Sequence, residues 1–144
     1  MAGLVAVTPA CGFVSVLGAI VIGAGSSLIC YAAVAFVKTK FGYDDSLDAF
    51  GVHGVGGMWG AVATGFLASK AINSAGANGF FYGNPGLVWI QIKAVLITGG
   101  YSLVMTFLIL KFINRFVPVR ADEEDERIGL DMTQHRESGY TVLE

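Results

Sequence analysis

AGLVAVTPACGFVSVLGAIVIGAGSSLICYAAVAFV, residues 2–37, runs for 36 positions without a charged side chain. As one α-helix it would measure about 54 Å, against about 30 Å for the hydrocarbon core of a bilayer. Two full spans of about 20 residues plus a turn need more chain than this. Thr8-Pro9-Ala10-Cys11-Gly12 supplies a break, because proline removes a backbone donor and restricts its predecessor. Residues 1–7 therefore read as the end of one helix and 13–37 as a full span. Ser15, Ala19, Gly23 and Ser27 recur at every fourth position of that span. They form a ridge of small residues suited to a neighbouring helix.

The rest of the 144 residues has the same character, with 54 % apolar and only 14 % charged positions and a mean hydropathy of +0.65. Soluble domains carry about 25 % charged residues, and so few charges cannot cover a soluble surface. An all-α integral-membrane protein is the expected class. The 20 glycines agree, since small residues let membrane helices approach where hydrophobic burial cannot drive association. Charge is split along the chain. Residues 1–117 hold six Lys/Arg against three acids, and residues 118–144 hold three Arg against eight acids. Such a balance excludes nucleic-acid binding by a basic surface. Cys11 and Cys30 both lie in apolar stretches and are expected to be inert buried thiols. On one helix they would stand about 28 Å apart, beyond disulfide reach. No basic n-region precedes the first apolar stretch, so no secretory signal fits.

Further along, residues 38–46 form a polar connection whose Asp44, Asp45 and Ser46 suit the start of a helix. A second span covers about 47–68, a loop rich in Gly and Asn covers 69–85, and a third span covers about 87–113, with Lys93 able to snorkel. The chain then divides into a membrane part, 1–116, and a polar tail, 117–144. Three spans put Lys38, Lys40, Lys111, Arg115, Arg120, Arg127 and Arg136 on one side and Lys70 and Lys93 on the other. This asymmetry places the tail in the cytoplasm.

His53 is the one ionisable side chain well inside the second span. Ionisable groups at membrane depth face the bundle interior or a water path and often mark ion or proton routes. The competing reading is a structural histidine bonded to a neighbouring helix. Gly56, Gly57, Gly60 and Thr64 follow His53 at three, four, seven and eleven positions, which sets it on a face of small residues directed inward. Imidazole carries both a donor and an acceptor and titrates near neutrality, as proton exchange requires. No nucleophile–base pair, metal-ligand cluster or cofactor motif accompanies it, so an enzyme is the least favoured class.

Asp48-Ala-Phe-Gly-Val-His53-Gly-Val-Gly-Gly57 resembles the signature of the tenth transmembrane helix of the ammonium transporter (Amt/Mep/Rh) family. Ala2-Gly-Leu-Val-Ala-Val-Thr-Pro-Ala-Cys-Gly-Phe-Val14 resembles the end of that family's eighth helix and the following turn. Arg127-Ile-Gly-Leu-Asp-Met-Thr-Gln-His135, then Gly139-Tyr140, resembles its cytoplasmic C-terminal region. The departures are Ala49, Lys93, and Arg136-Glu137-Ser138 where the family often has a glycine.

The resemblance implies a helical bundle of eleven helices assembled as a homotrimer, with one pore per subunit. Ammonium is deprotonated at an outer aromatic site, and ammonia and the proton cross a narrow apolar pore containing two histidines. His53 matches the second of these. Thr8 and Ala49 are candidates for the pore lining, with a helix-breaking role equally open for Thr8. Asp48 is expected to cap its helix or couple to the tail, and Phe50 and Trp59 to pack. In the tail, Thr133 matches a phosphorylatable threonine of plant relatives, and Ile128, Leu130 and Met132 can help the tail dock. A kinase or a PII signalling protein is the expected regulatory partner, and the cell membrane the expected location. The chain aligns from the end of helix eight onward, so it is expected to be a C-terminal fragment: about three full spans, one partial helix and a tail. Such a piece would conduct only as part of a complete pore. The alternative is a non-conducting module that associates with full-length subunits.

Overall fold

A computed structural model describes residues 1–137, and Ser138, Gly139 and Tyr140 lie outside the described residues. Every regular element among the described residues is helical. Contacts divide the chain into two units, Met1–Gly100 and Tyr101–Glu144.

The first unit begins with α1 (Ala2–Val7), which tightens into a 3₁₀ turn, Thr8–Ala10, with Pro9 in its first positions. Proline fits there because the first amides of a helical turn lack intrahelical partners. Gly12 reverses the chain at φ +78°, and α2 (Val16–Ala32) starts at Ser15, whose Oγ accepts from the Gly18 amide at 3.1 Å. That helix passes through a π-helical turn, Ala33–Lys38, into α3 (Thr39–Phe41) and stops at Gly42 in the left-handed region. A second π-helical turn, Phe50–Gly54, leads into α4 (Val55–Leu67). A loop with a 3₁₀ turn at Phe80–Tyr82 precedes α5 (Gly86–Ile113).

The core of this unit is built from small residues. Ala6, Ala10, Ile22 and Ala63 form its centre, with Val7, Val14, Trp59 and Leu67 packed around them. Two close backbone approaches make it possible. A Cβ placed on Gly3 would stand 3.4 Å from the Gly23 Cα, and one on Gly60 would fall onto the Ala6 carbonyl. Thus α1 is held between α2 and α4. Ser26 Oγ donates to the Ala2 carbonyl at 2.9 Å, and the Trp59 indole donates to the Ile22 carbonyl at 3.0 Å.

The buried ridge of α2 is Gly18, Ile22, Ser26 and Cys30, not the expected Ser15, Ala19, Gly23 and Ser27. At 100° per residue the two ridges differ by about 60° around the helix. The physical reason is the bond from Ser26 to α1, which turns that face inward. Cys11 is exposed and only Cys30 is buried, which corrects the expectation of two buried thiols.

Val16–Phe41 and Gly86–Ile113 are each long and apolar enough to cross a membrane. The helix from Phe50 to Leu67 is about 27 Å long. No residue of α5 is buried, and Leu96, Ile97, Leu103 and Phe107 lie open. Soluble monomers rarely expose such continuous apolar area, so this surface requires lipid or further protein.

In the second unit the chain turns at residues 114–116 and the Asn114 side chain accepts from the Val119 amide at 3.1 Å. The short α6 (Glu123–Ile128) follows, and Arg120 grips Glu126 with two contacts of 3.2 Å. Gly129 at φ +109° leads into a last π-helical turn, Asp131–His135. Ile128, Leu130 and Met132 are exposed.

Candidate functional site

His53 sits on the π-helical turn that opens the α4 segment. The packing around that turn explains where it lies. Gly51 faces Val34 of the other π-helical turn so closely that a Cβ would stand 2.6 Å from Val34 Cγ2. Only a residue without a side chain lets the two turns meet. Cys30 Sγ reaches the Val52 carbonyl at 3.8 Å. On the far side of the turn the Phe50 ring packs edge-on against Tyr43, with centroids 5.9 Å apart.

From this turn His53 opens onto a groove of about 590 Å³ lined by Leu4, Val5, Thr8, Pro9, His53 and Gly57. Thr8 and His53, far apart in sequence, therefore share one cavity. Thr8 Oγ1 donates to the Leu4 carbonyl at 2.8 Å, so the hydroxyl has only acceptor capacity left to offer. The remaining lining is apolar. His53 itself is exposed, whereas Gly56, Gly60, Ala63 and Thr64 form the buried face of α4. Of the small residues expected to share its face, Gly57 is the one that lines the groove with it. The packed face runs beside His53 rather than through it.

Asp48 and Ala49 lie at the start of the same segment, away from the groove lining. Capping falls to Asp45, whose two carboxylate oxygens accept from the Ala49 and Phe50 amides at 2.8 and 2.9 Å. The Asp48 carboxylate instead accepts from Lys38 Nζ at 2.6 Å. Asp48 adopts φ +54°, a left-handed conformation, and its carboxylate meets Lys38 at the end of the first π-helical turn. Both partners are partly exposed, where solvent screening leaves an ion pair little net stabilisation. Geometry, more than stability, is what this pair supplies. The exposed Ala49 contributes its amide to the cap.

Thr133 lies in the second unit, where its Oγ1 donates to the Gly129 carbonyl at 3.3 Å. His135 belongs to that unit as well. Among the described residues, no group of three or more His, Cys, Asp and Glu side chains is placed to hold a metal ion. Sequence reasoning missed Lys38 as a partner of Asp48. The visible signal was a lysine one turn from the end of an apolar helix, with acids seven and ten residues on. It also missed the bond from Trp59 to Ile22, for which no sequence pattern exists.

The groove thus brings one imidazole and one hydroxyl together within an otherwise apolar lining. An imidazole can accept a proton on one nitrogen and release it from the other.

The description Ammonium Transporter Family matches residues 1–140. A Bacillus subtilis protein named ammonium transporter is 51 % identical over 140 residues, which cover 97 % of this chain and 35 % of that protein. The Archaeoglobus fulgidus ammonium transporter Amt1 is 45 % identical over 142 residues, covering 98 % and 35 %. Among solved structures, Saccharomyces cerevisiae Mep2 superposes with a TM-score of 0.78 at 30 % identity, covering 85 % of this chain and 29 % of that one. The chain thus spans about a third of the length of the curated relatives it matches.

Proposed function

The chain belongs to the Ammonium Transporter Family, and on that premise we propose that it contributes one histidine, His53, to an ammonium-conducting pore. Ammonium gives up a proton before the apolar section, ammonia crosses as a neutral molecule, and the proton moves separately through imidazoles. Splitting the ion avoids most of the cost of desolvating a charge. Potassium has no proton to release, so the same device discriminates against it. The observation that carries this reading is the opening of His53 onto an apolar groove that also takes in Thr8. Thr8 lines the path as an acceptor, and Asp48 and Ala49 belong to the structure that supports it.

The partner histidine is supplied by another part of the complete transporter, and the working unit is a homotrimer in the cell membrane. The excess of Lys and Arg on the tail side supports a cytoplasmic C-terminus. There a kinase acting on Thr133 or a PII signalling protein would exert control. A phosphate at Thr133 adds negative charge close to Asp131 and disturbs the local turn.

Methylammonium uptake by a complete transporter carrying this stretch tests the reading. His53→Ala should change the rate of conduction or the discrimination against potassium while membrane assembly stays intact; normal values for both would remove His53 from the relay. In the same assay Thr133→Asp should lower uptake, and unchanged uptake would make the tail passive.

A further inference from the structure

We propose that Lys38 is a positioning residue for His53, a clamp from the end of one helix that sets the rotation of the imidazole on another. The inference rests on the relay reading of His53 and adds a residue that does not touch the groove. Lys38 Nζ donates to the Asp48 carboxylate and to the Asp45 carbonyl, each at 2.6 Å. These two acceptors hold the two ends of the turn that launches the His53 segment. From Asp45, both carboxylate oxygens take the Ala49 and Phe50 amides. From Asp48, the backbone carbonyl takes the Val52 amide at 2.9 Å. One ammonium group therefore joins the side-chain cap and the first rung of the helix that carries His53.

Two features of the turn make such an outside constraint consequential. Asp48 sits at φ +54°, a sparsely populated region that its local bond to the Asp45 carbonyl at 3.1 Å and its tie to Lys38 help to hold. The five residues Phe50–Gly54 form a π-helical turn, a geometry that is rare and concentrated at functional positions. Conversion of that turn to ordinary α-helix would turn His53 relative to Gly57, the residue beside it in the groove. The contact between Val34 and Gly51 brings the two π-helical turns together through apolar packing. The direct tie from Lys38 fixes the register.

The test uses the full chain in lipid nanodiscs with ¹⁵N-labelled histidine. The chain has two histidines, so a His135→Gln background leaves His53 as the single imidazole signal. Lys38→Met is expected to move the His53 ring resonances or split them into two sets, and Lys38→Arg to restore the original pattern. Asp48→Gly removes the carboxylate while accepting the left-handed backbone, so it should fold and still displace the ring signals. A purely stabilising role would change the melting temperature and leave the ring signals of the folded protein unmoved. Unmoved signals in both Lys38→Met and Asp48→Gly would overturn the proposal. Because the measurement reads the ring and not transport, failure of the relay reading would show separately, as normal conduction in His53→Ala.

Discussion

Gly60 is where one methyl group would do the most damage. Its Cα lies against the Ala6 backbone of α1, so an added Cβ meets a carbonyl that cannot swing aside. Gly57, one turn earlier and beside His53 in the groove, has nothing within 4 Å of the same position. Overpacking costs about 1–3 kcal/mol, and rigid backbone puts Gly60 at the upper end. We therefore expect Gly60→Ala to lose about 3 kcal/mol in unfolding measurements in detergent, while Gly57→Ala unfolds like the parent. Equal stability of the two variants would show that α1 does not pack on α4 as described. His53 teaches a related point. Its place as a lone ionisable group within an apolar stretch was readable from the sequence, and so was its kinship with a known motif. Its direction was not, because the face shared with Gly56 and Gly60 belongs to the packed side of α4.

At the scale of elements, the segment that carries His53 starts at a cap, and the cap is Asp45. Loss of an N-terminal cap costs about 0.5–2 kcal/mol, and here one carboxylate satisfies two amides. Asp45→Ala should lower stability by about 1–2 kcal/mol in the same unfolding measurement and raise amide exchange at Ala49 and Phe50. Protection that stayed unchanged at those two amides would transfer the cap to another group. The sequence offered Asp44, Asp45 and Ser46 as equivalent starters and Asp48 as a further one. The choice among them depends on Lys38, which takes Asp48 for itself. The ridge of α2 shows the same limit. Fourfold spacing marks several small-residue stripes on one helix, and only the crossing of α1, with Ser26 bonded to the Ala2 carbonyl, selects the one that is buried.

For the whole molecule, the balance of surface is the decisive quantity. The buried core consists largely of alanines and one isoleucine, while α5 is unburied along its length. Among the described residues the site at His53 is likewise an open groove, with the imidazole exposed, and cells expressing residues 1–144 alone should take up methylammonium no faster than empty-vector controls. Uptake above that background would mean that the chain closes a path by associating with copies of itself. The membership of the chain in its family and its span of about a third of its relatives' length fit a piece whose exposed faces are covered in a larger bundle.

Sequence by itself determined the class of molecule, the break at Pro9, the long apolar helices and the candidacy of His53. Hydropathy, proline geometry and short motifs are properties of neighbouring residues, so they survive without any knowledge of the fold. Tertiary structure alone decided which ridge of α2 is buried, that Asp45 caps while Asp48 answers Lys38, and that Thr8 meets His53 across one groove. These depend on the rotation of each helix about its own axis. Two π-helical turns and the wedge of α1 set that rotation, and a period of 3.6 residues carried through the sequence does not record it.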